Sequence, residues 1–461
     1  MPLISPLGDQ CAFLFSSRPQ HQLPFPSSRT LPLLPTPFDL IIIGAGPAGI
    51  AAADESVSRG SSRVLLLEAR PRIGGRVRTL SLPDSPIPIE LGAEFVHGQP
   101  ASTWNLIRRF HAAAHDVPFE NHELIRGRLR KTDAFDAQLE RVMSGLARIR
   151  GSDISFADYL ARSRFSAADR KAAADFVQGF DAADTHLVSA RSLAHEWESI
   201  GNLADNRQSR LSAGYGPLLQ QLLDSIDPRR LTLHLNEPAQ RIRWSRSDVR
   251  VQTNKHTYRA RAAIITLPIS LLQLPQGSPG ALQFEPDVPA LAHARQIGMG
   301  NVVKVLLEFD SPFWEESEKL ADAAFLHVPG APFPTWWTTR PVRSAWLTGW
   351  AGGPFADALS SLPPSEVQAA ALRSLSKLFG RSAQSLGKRI KRTLGYDWGA
   401  DPLSRGAYSY QLAGQTSAPA RLAQPVANTL FFAGEALDPD DPATVAGALA
   451  SGRRAGKRAS R

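Results

Sequence analysis

Residues 38–44 (FDLIIIG) form an apolar run broken by a single Asp, rich in β-branched side chains and too short for a helix. That pattern fits a strand buried on both faces of a parallel sheet. The Ala-rich residues from Pro47 onward read as a helix, and residues 63–67 (RVLLL) as a second strand. Residues 101–200 are rich in Ala, Arg and Asp at helical spacing, as in "AADRKAAADFVQGF", and predict a mainly helical insertion. Residues 210–226 (RLSAGYGPLLQQLLDSI) read as a Gly turn entering an amphipathic helix, and residues 231–268 as strands that return to the first domain. Residues 301–314 (NVVKVLLEFDSPFW) alternate like a strand with one face buried, and residues 343–353 (RSAWLTGWAGG) read likewise. "PSEVQAAALRSLSKLFG" predicts a helix, and residues 429–455 a strand, a loop and a last helix. Together these patterns predict an α/β fold, in which a Rossmann-like nucleotide-binding domain is interrupted by a second lobe of mixed sheet and helices.

Gly44-Ala45-Gly46-Pro47-Ala48-Gly49 fits G-x-G-x-x-G between the first strand and its helix. Gly44 permits the tight turn, Gly46 lets a pyrophosphate approach the backbone, and Gly49 lets helix and strand pack closely. The helix start adds N–H groups and dipole for the anion. Glu68 ends the second strand about twenty residues on, where a carboxylate accepts the ribose hydroxyls of an adenine dinucleotide. A carboxylate there disfavours a 2′-phosphate, which leaves NAD and FAD.

Arg72-Ile73-Gly74-Gly75-Arg76 follows at once and sets two flexible glycines between guanidiniums suited to phosphate. A nicotinamide site does not need this second basic turn. Here "EARPRIGGRVRT" resembles the second FAD motif of the flavin-containing amine oxidases, and the resemblance runs from about Phe38 to Ala455. It implies FAD as cofactor, with Glu68, Ala69, Arg70, Gly74, Gly75 and Arg76 beside it as well as Gly44, Gly46, Pro47, Ala48 and Gly49.

Three further blocks carry the resemblance. "LGAEFVHG" is similar to the loop that passes the flavin ring in polyamine oxidases; it implies cofactor contacts at Gly92, Ala93 and Glu94 and a substrate-side role for His97. In "MGNVVKVLLEFDSPFW" a lysine stands in mid-strand, where an ammonium is costly without a partner or a task. Lys304 matches the lysine that the family holds, through a water, near flavin N5, with an implied role in reaction with O2 or in imine hydrolysis. In the last block Trp398 matches a Trp packed along the isoalloxazine, and Tyr408 one wall of an aromatic cage. Gly434 and Glu435 match the contacts to the ribityl chain and pyrophosphate. Thr444 and Val445 match the helix start facing the flavin pyrimidine, and Ala239 is assigned to the cofactor on the same grounds.

Two departures from monoamine oxidases stand out. Ala407 replaces the cysteine that bonds the flavin, so non-covalent FAD is expected. Thr444 stands where their second cage wall is a Tyr, which resembles polyamine oxidases and histone demethylases. The implied reaction oxidises an amine to an imine, which water hydrolyses, while O2 becomes H2O2. An L-amino-acid oxidase, a carotenoid-type desaturase and a non-catalytic flavin-bound protein stay open beside it.

Composition narrows the class. The chain has 461 residues, 43% hydrophobic and 21% charged, which at about 150 residues per domain suggests two or three domains or lobes. A single cysteine, Cys11, rules out an internal disulfide framework and a cysteine-rich metal site. The net charge of +9 comes from arginines spread along the chain, which reads as a solvated surface rather than a nucleic-acid site. The Pro- and Ser-rich residues 1–37 are expected to be a disordered extension. No apolar stretch reaches the roughly 20 residues of a membrane span, and the chain stops at Arg461 without the C-terminal membrane helix of mitochondrial monoamine oxidases. A soluble, cytoplasmic protein is expected; the oligomeric state is not readable. The expected organisation places FAD-binding segments at 38–98, 210–270 and 396–455. Substrate-domain segments fall at 99–209, mainly helical, and 271–395, mainly sheet, with a basic tail at 456–461.

Overall fold

The computed structural model describes residues 11–13, 37–61, 63–132, 134–202 and 207–461. Strand Phe38–Ile43 lies between two parallel neighbours, Val64–Leu67 and Thr257–Ile265, and Leu231–His234 extends one edge. Ala239–Ser245 and Asp248–Thr253 lead into Thr257–Ile265 as an antiparallel meander, and Leu430–Phe432 returns parallel to that strand. The unbroken apolar run is explained by cover on both sides. Leu40 and Ile42 face helices Pro47–Ser58 and Val445–Ala459, while Ile41 and Ile43 join Val249, Val251 and Tyr258. Those two helices touch backbone to backbone: a Cβ on Gly452 would stand 2.0 Å from the Ala48 carbonyl oxygen. The last helix is thereby locked to the first although Gly452 and Ala48 come from opposite ends of the chain, and both helices follow strands that run parallel to Thr257–Ile265.

The second lobe is built on an eight-stranded sheet with Val302–Phe309 near its middle, antiparallel to both Trp346–Gly352 and Ile390–Asp397. Val303, Val305 and Leu307 pack on helix Pro364–Phe379. The opposite face carries Lys304 and Leu306 and is buried too, so this strand is covered on both sides rather than on one. Helices Ala134–Met143, Phe156–Arg162, Ala167–Gly179 and Ala190–Asn202 pack around Val142, Phe156 and Val177. Ser155 and Ser166 cap two of them by accepting from the N–H groups of Asp158 and Asp169.

Three expectations about organisation change. Gln283–Glu285 joins the first sheet, parallel to Ala239–Ser245, so that sheet reaches past residue 270; a three-residue edge strand leaves no periodic signal. The segment 99–209, expected to be mainly helical, also carries strands. Its hairpin Asn121–Ile125/Arg128–Lys131 extends the second sheet, and Ala114–Asp116 pairs with Gln208–Leu211. Of the extension at 1–37, Cys11–Phe13 forms an edge strand parallel to Ile390–Asp397, and the rest up to residue 36 lies outside the described residues. Between the lobes, Phe95–His97 pairs with Gln208–Leu211, and Ile297–Gly300 with Tyr408–Gln411. These short ribbons carry several of the side chains discussed next.

Candidate active site

One cavity of about 2690 Å³ runs from the first Gly turn to the helical lobe. A pocket for one small ligand is commonly about 300–1,000 Å³, so this one has room for a dinucleotide and a second molecule. Its first arm is shaped by backbone. Gly44 has φ +104°, and a Cβ on Gly49 would lie 1.8 Å from the Gly44 carbonyl oxygen, whereas a Cβ on Gly46 would meet nothing within 4 Å. Two glycines thus make the turn and its packing, and the third opens toward the cavity. Glu68 is buried and its two oxygens accept the N–H groups of Ala45 and Arg70, each at 2.8 Å. A carboxylate has about four acceptor positions, so two remain on a group that lines the cavity. These features fit the adenosine and pyrophosphate of FAD.

The second turn works differently from the sequence expectation. Arg72 donates to the carbonyls of Ile73, Gly75 and Val77, closing its own Gly-Gly loop, and so is a clamp rather than a phosphate ligand. Gly74 donates to the Ala45 carbonyl at 2.8 Å, which ties the two turns together. Arg70 pairs with Asp401 at 2.9 Å and Arg76 with Glu435 at 2.8 Å. The Glu435 carboxylate also accepts from the Ser409 hydroxyl at 2.6 Å. Ion pairing leaves these groups oriented at the cavity wall. Every residue assigned to the cofactor lines the cavity except Gly49 and Gly74, whose place is in the packing behind it.

Lys304 is 1% exposed, and its Nζ donates to Glu94 Oε2 at 2.7 Å. Glu94 Oε1 accepts from Arg210 Nε at 2.7 Å and from Trp337 Nε1 at 3.1 Å. Arg210 in turn donates to the carbonyls of Thr338 and Arg340 and lies 4.6 Å over the Phe95 ring. Burial alone would raise the Glu94 carboxyl, but Lys304 and Arg210 hold it below the usual carboxylate range. Glu94, expected beside the cofactor, lines the cavity, and its carboxylate is engaged by three side chains of the protein.

Tyr408 and Trp350 have rings 16° from parallel, with centroids 6.4 Å apart. The Tyr408 hydroxyl donates to the Phe180 carbonyl, and Trp350 Nε1 to the Gly179 carbonyl at 2.8 Å, both at the end of helix Ala167–Gly179. Trp350 was missed by the sequence reading. It stands directly across from Lys304 in the sheet, a register that the strand sequence alone does not reveal. Thr444 does not face Tyr408 as a second wall by any contact of its hydroxyl. It caps the last helix, accepting from the Gly447 N–H at 2.9 Å and donating to the Asp441 carbonyl. Trp398 is buried and held by its Nε1 on the Leu91 carbonyl at 3.0 Å. His97 packs edge-on against Phe180 and is open to the cavity, and its depth within the protein, away from bulk solvent, pushes its imidazole down to about 4.

Beyond the aromatic pair, Asp181 and Glu196 line the cavity and hydrogen-bond to each other. Burial raises both carboxyls, Glu196 to about 7. Among the described residues neither makes an ion pair. They come from the helical insertion, where one acid among many carries no visible mark in the sequence.

The family model for flavin containing amine oxidoreductases matches residues 47–459. Polyamine oxidase 4 of Oryza sativa subsp. japonica is 28% identical, over 91% of this chain and 89% of its own length. Lysine-specific histone demethylase 2 of Homo sapiens is also 28% identical, over 92% of this chain but 54% of its own. A solved putrescine oxidase bound to putrescine shares the fold with a TM-score of 0.76 at 20% identity, covering 92% of this chain and 99% of that one. Cyclohexylamine oxidase from Brevibacterium oxydans IH-35A gives 0.74 at 23%, covering 92% and 98%. Among the described residues, no helix is long and apolar enough to cross a membrane.

Proposed function

The chain belongs to the flavin-containing amine oxidoreductase family, and from that premise we propose that the amine it oxidises carries a second cationic nitrogen. Non-covalent FAD, when bound, supplies the oxidation of the amine to an imine, which water hydrolyses to an aldehyde or ketone, and passes the electrons to O2 to give H2O2. The side chains supply the setting. The nitrogen that reacts must be uncharged, and the surfaces nearest Tyr408 and Trp350 suit that. His97 is neutral, and the Tyr408 phenol is held in its neutral form by burial and by the carboxylates of Asp181 and Glu196. Lys304 offers a buried ammonium whose direction is set by Glu94. The last helix begins at the cavity wall with its N–H groups and dipole toward it, which favours negative charge there.

The observation that carries the substrate class is the carboxyl pair Asp181–Glu196. Two hydrogen-bonded acids inside a cavity, next to an aromatic pair and without an ion-pair partner among the described residues, favour a ligand that brings a cation. The polyamine oxidases and putrescine oxidase among the similar proteins support the same reading. An amino-acid substrate would need a free cation for its carboxylate. Of the cations that line the cavity, Arg70, Arg76, Lys171, Arg241 and Lys304 are each paired with a carboxylate, and Arg405 is an exposed side chain. Peroxide release from α,ω-diamines and from the monoamines of equal length tests the proposal. The diamine is expected to win in kcat/KM by ~10-fold or more, equivalent to about 1.4 kcal/mol of the lost ion pairing. Equal values for the two series would overturn it.

A further inference from the structure

The group Lys304–Glu94–Arg210 has a composition that a single buried ion pair lacks: two cations share one anion. We propose that these residues act as one three-charge unit of net charge +1 that sets the electron affinity of FAD bound in the cavity. Within it Glu94 is a positioning residue, which cancels one buried cation and aims the other. The proposal rests on FAD occupying this cavity and is independent of which amine is oxidised.

The connectivity supports a fixed unit. Glu94 uses one oxygen for Lys304 and the other for Arg210 and Trp337. Arg210 is held from behind by the carbonyls of Thr338 and Arg340 and from the side by the Phe95 ring. It cannot swing away from Glu94 without breaking all of these. An ammonium has three N–H donors. Those of Lys304 find Glu94 at 2.7 Å and, more weakly, the Gly92 carbonyl at 3.4 Å, while the group itself lines the cavity. One donor is therefore left for the cavity. Trp337 lies beneath, with its ring centroid 5.4 Å from Nζ. In so enclosed a setting, charge acts over longer distances than in water. FAD that takes up two electrons and one proton gains one negative charge, which a net positive wall favours.

Two further titratable groups stand close. Glu90, pushed up to about 7 by burial, feels both Lys304 and Glu94. His97, pushed down to about 4, ends the short strand Phe95–His97 that follows Glu94. At pH 6 the first is mostly protonated and the second neutral, so a change of charge in the unit can be read with little interference.

The test is the two-electron midpoint potential of the FAD-loaded protein at pH 6, equilibrated against a redox dye with no amine present. Glu94→Gln raises the unit to +2 and should move the potential upward. Lys304→Met and Arg210→Gln each lower it to zero and should move it downward. Each change should alter the ratio of reduced to oxidised FAD at fixed dye potential by about tenfold. Arg210→Lys keeps the charge and should stay near the parent. Should Glu94→Gln fail to fold, the contrast of Arg210→Gln with Arg210→Lys still decides. A shift in the same direction for Glu94→Gln and Arg210→Gln, or no difference between the two Arg210 variants, would overturn the proposal. Because a dye supplies the electrons, a wrong substrate assignment leaves this result untouched.

Discussion

The near-parallel rings of Tyr408 and Trp350 hang from neighbouring carbonyls, those of Phe180 and Gly179, at the end of one helix. The residue after Phe180 is Asp181, one member of the hydrogen-bonded acid pair that lines the cavity. A single helix end therefore positions both aromatic faces and one carboxyl of the acid pair. Since helix Ala167–Gly179 belongs to the insertion and Trp350 to the second sheet, packing between these elements fixes the spacing.

Trp350→Ala is expected to slow flavin reduction by an amine ~10-fold, the order expected from losing about 1.4 kcal/mol of aromatic packing against the substrate. Reoxidation by O2 should stay near the parent rate, because no amine takes part in it. Stopped-flow measurement of both half-reactions checks this, and an equal slowing of both would count against a substrate-side role.

The nucleotide arm was legible in sequence because its requirements are local: a turn, a close approach and an acid at a strand end lie within residues 44–68. Lys304 was legible as well, since an ammonium inside "NVVKVLLEF" needs an explanation. Its partner was not. Glu94 lies 210 residues away, and only the three-dimensional pairing shows that its carboxylate serves Lys304 and Arg210. Trp350, Asp181 and Glu196 escaped for related reasons. Strand register decides which face a Trp takes, and helix packing decides which of many acids turns inward. Arg72 misled for the opposite reason: its position beside the glycines suited a phosphate, yet the nearest acceptors are carbonyls of its own loop.

Glu68→Ala should weaken FAD binding ten- to hundredfold, from loss of a charge-assisted hydrogen bond of roughly 1.5–3 kcal/mol. The Ala45 and Arg70 N–H groups lose their acceptor in the same variant. Glu68→Gln keeps side-chain acceptance and should fall between. Titration of the apoprotein with FAD measures it, and unchanged affinity in the Ala variant would remove Glu68 from the ribose site.

The acid pair predicts a pH dependence of known sign. Burial raises Asp181 and Glu196, the latter to about 7, so the pair gains negative charge as pH rises through that value. KM for a diamine should therefore fall over the same range, and Glu196→Gln should abolish that limb. Stability runs the other way. A carboxyl with a raised folded pKa contributes stability that is present below about 4.5 and lost as pH rises to about 7. Glu196→Gln should accordingly melt higher than the parent at pH 8. A lower melting temperature there would show that the carboxylate has a partner that stabilises its charge.

Ala407 lines the cavity where covalent attachment would need a thiol, and the one cysteine of the chain is Cys11. Acid precipitation is expected to release all of the flavin as FAD. Yellow colour retained in the pellet after washing would contradict the non-covalent assignment.

The most direct test of the whole account is anaerobic mixing of the FAD-loaded protein with a diamine in a stopped-flow spectrophotometer, followed by O2. The flavin absorbance should bleach in a single turnover, with one equivalent of aldehyde or ketone formed per flavin, and should return on oxygenation with one equivalent of H2O2. Flavin that stays oxidised in the presence of diamines, monoamines and amino acids alike would contradict it.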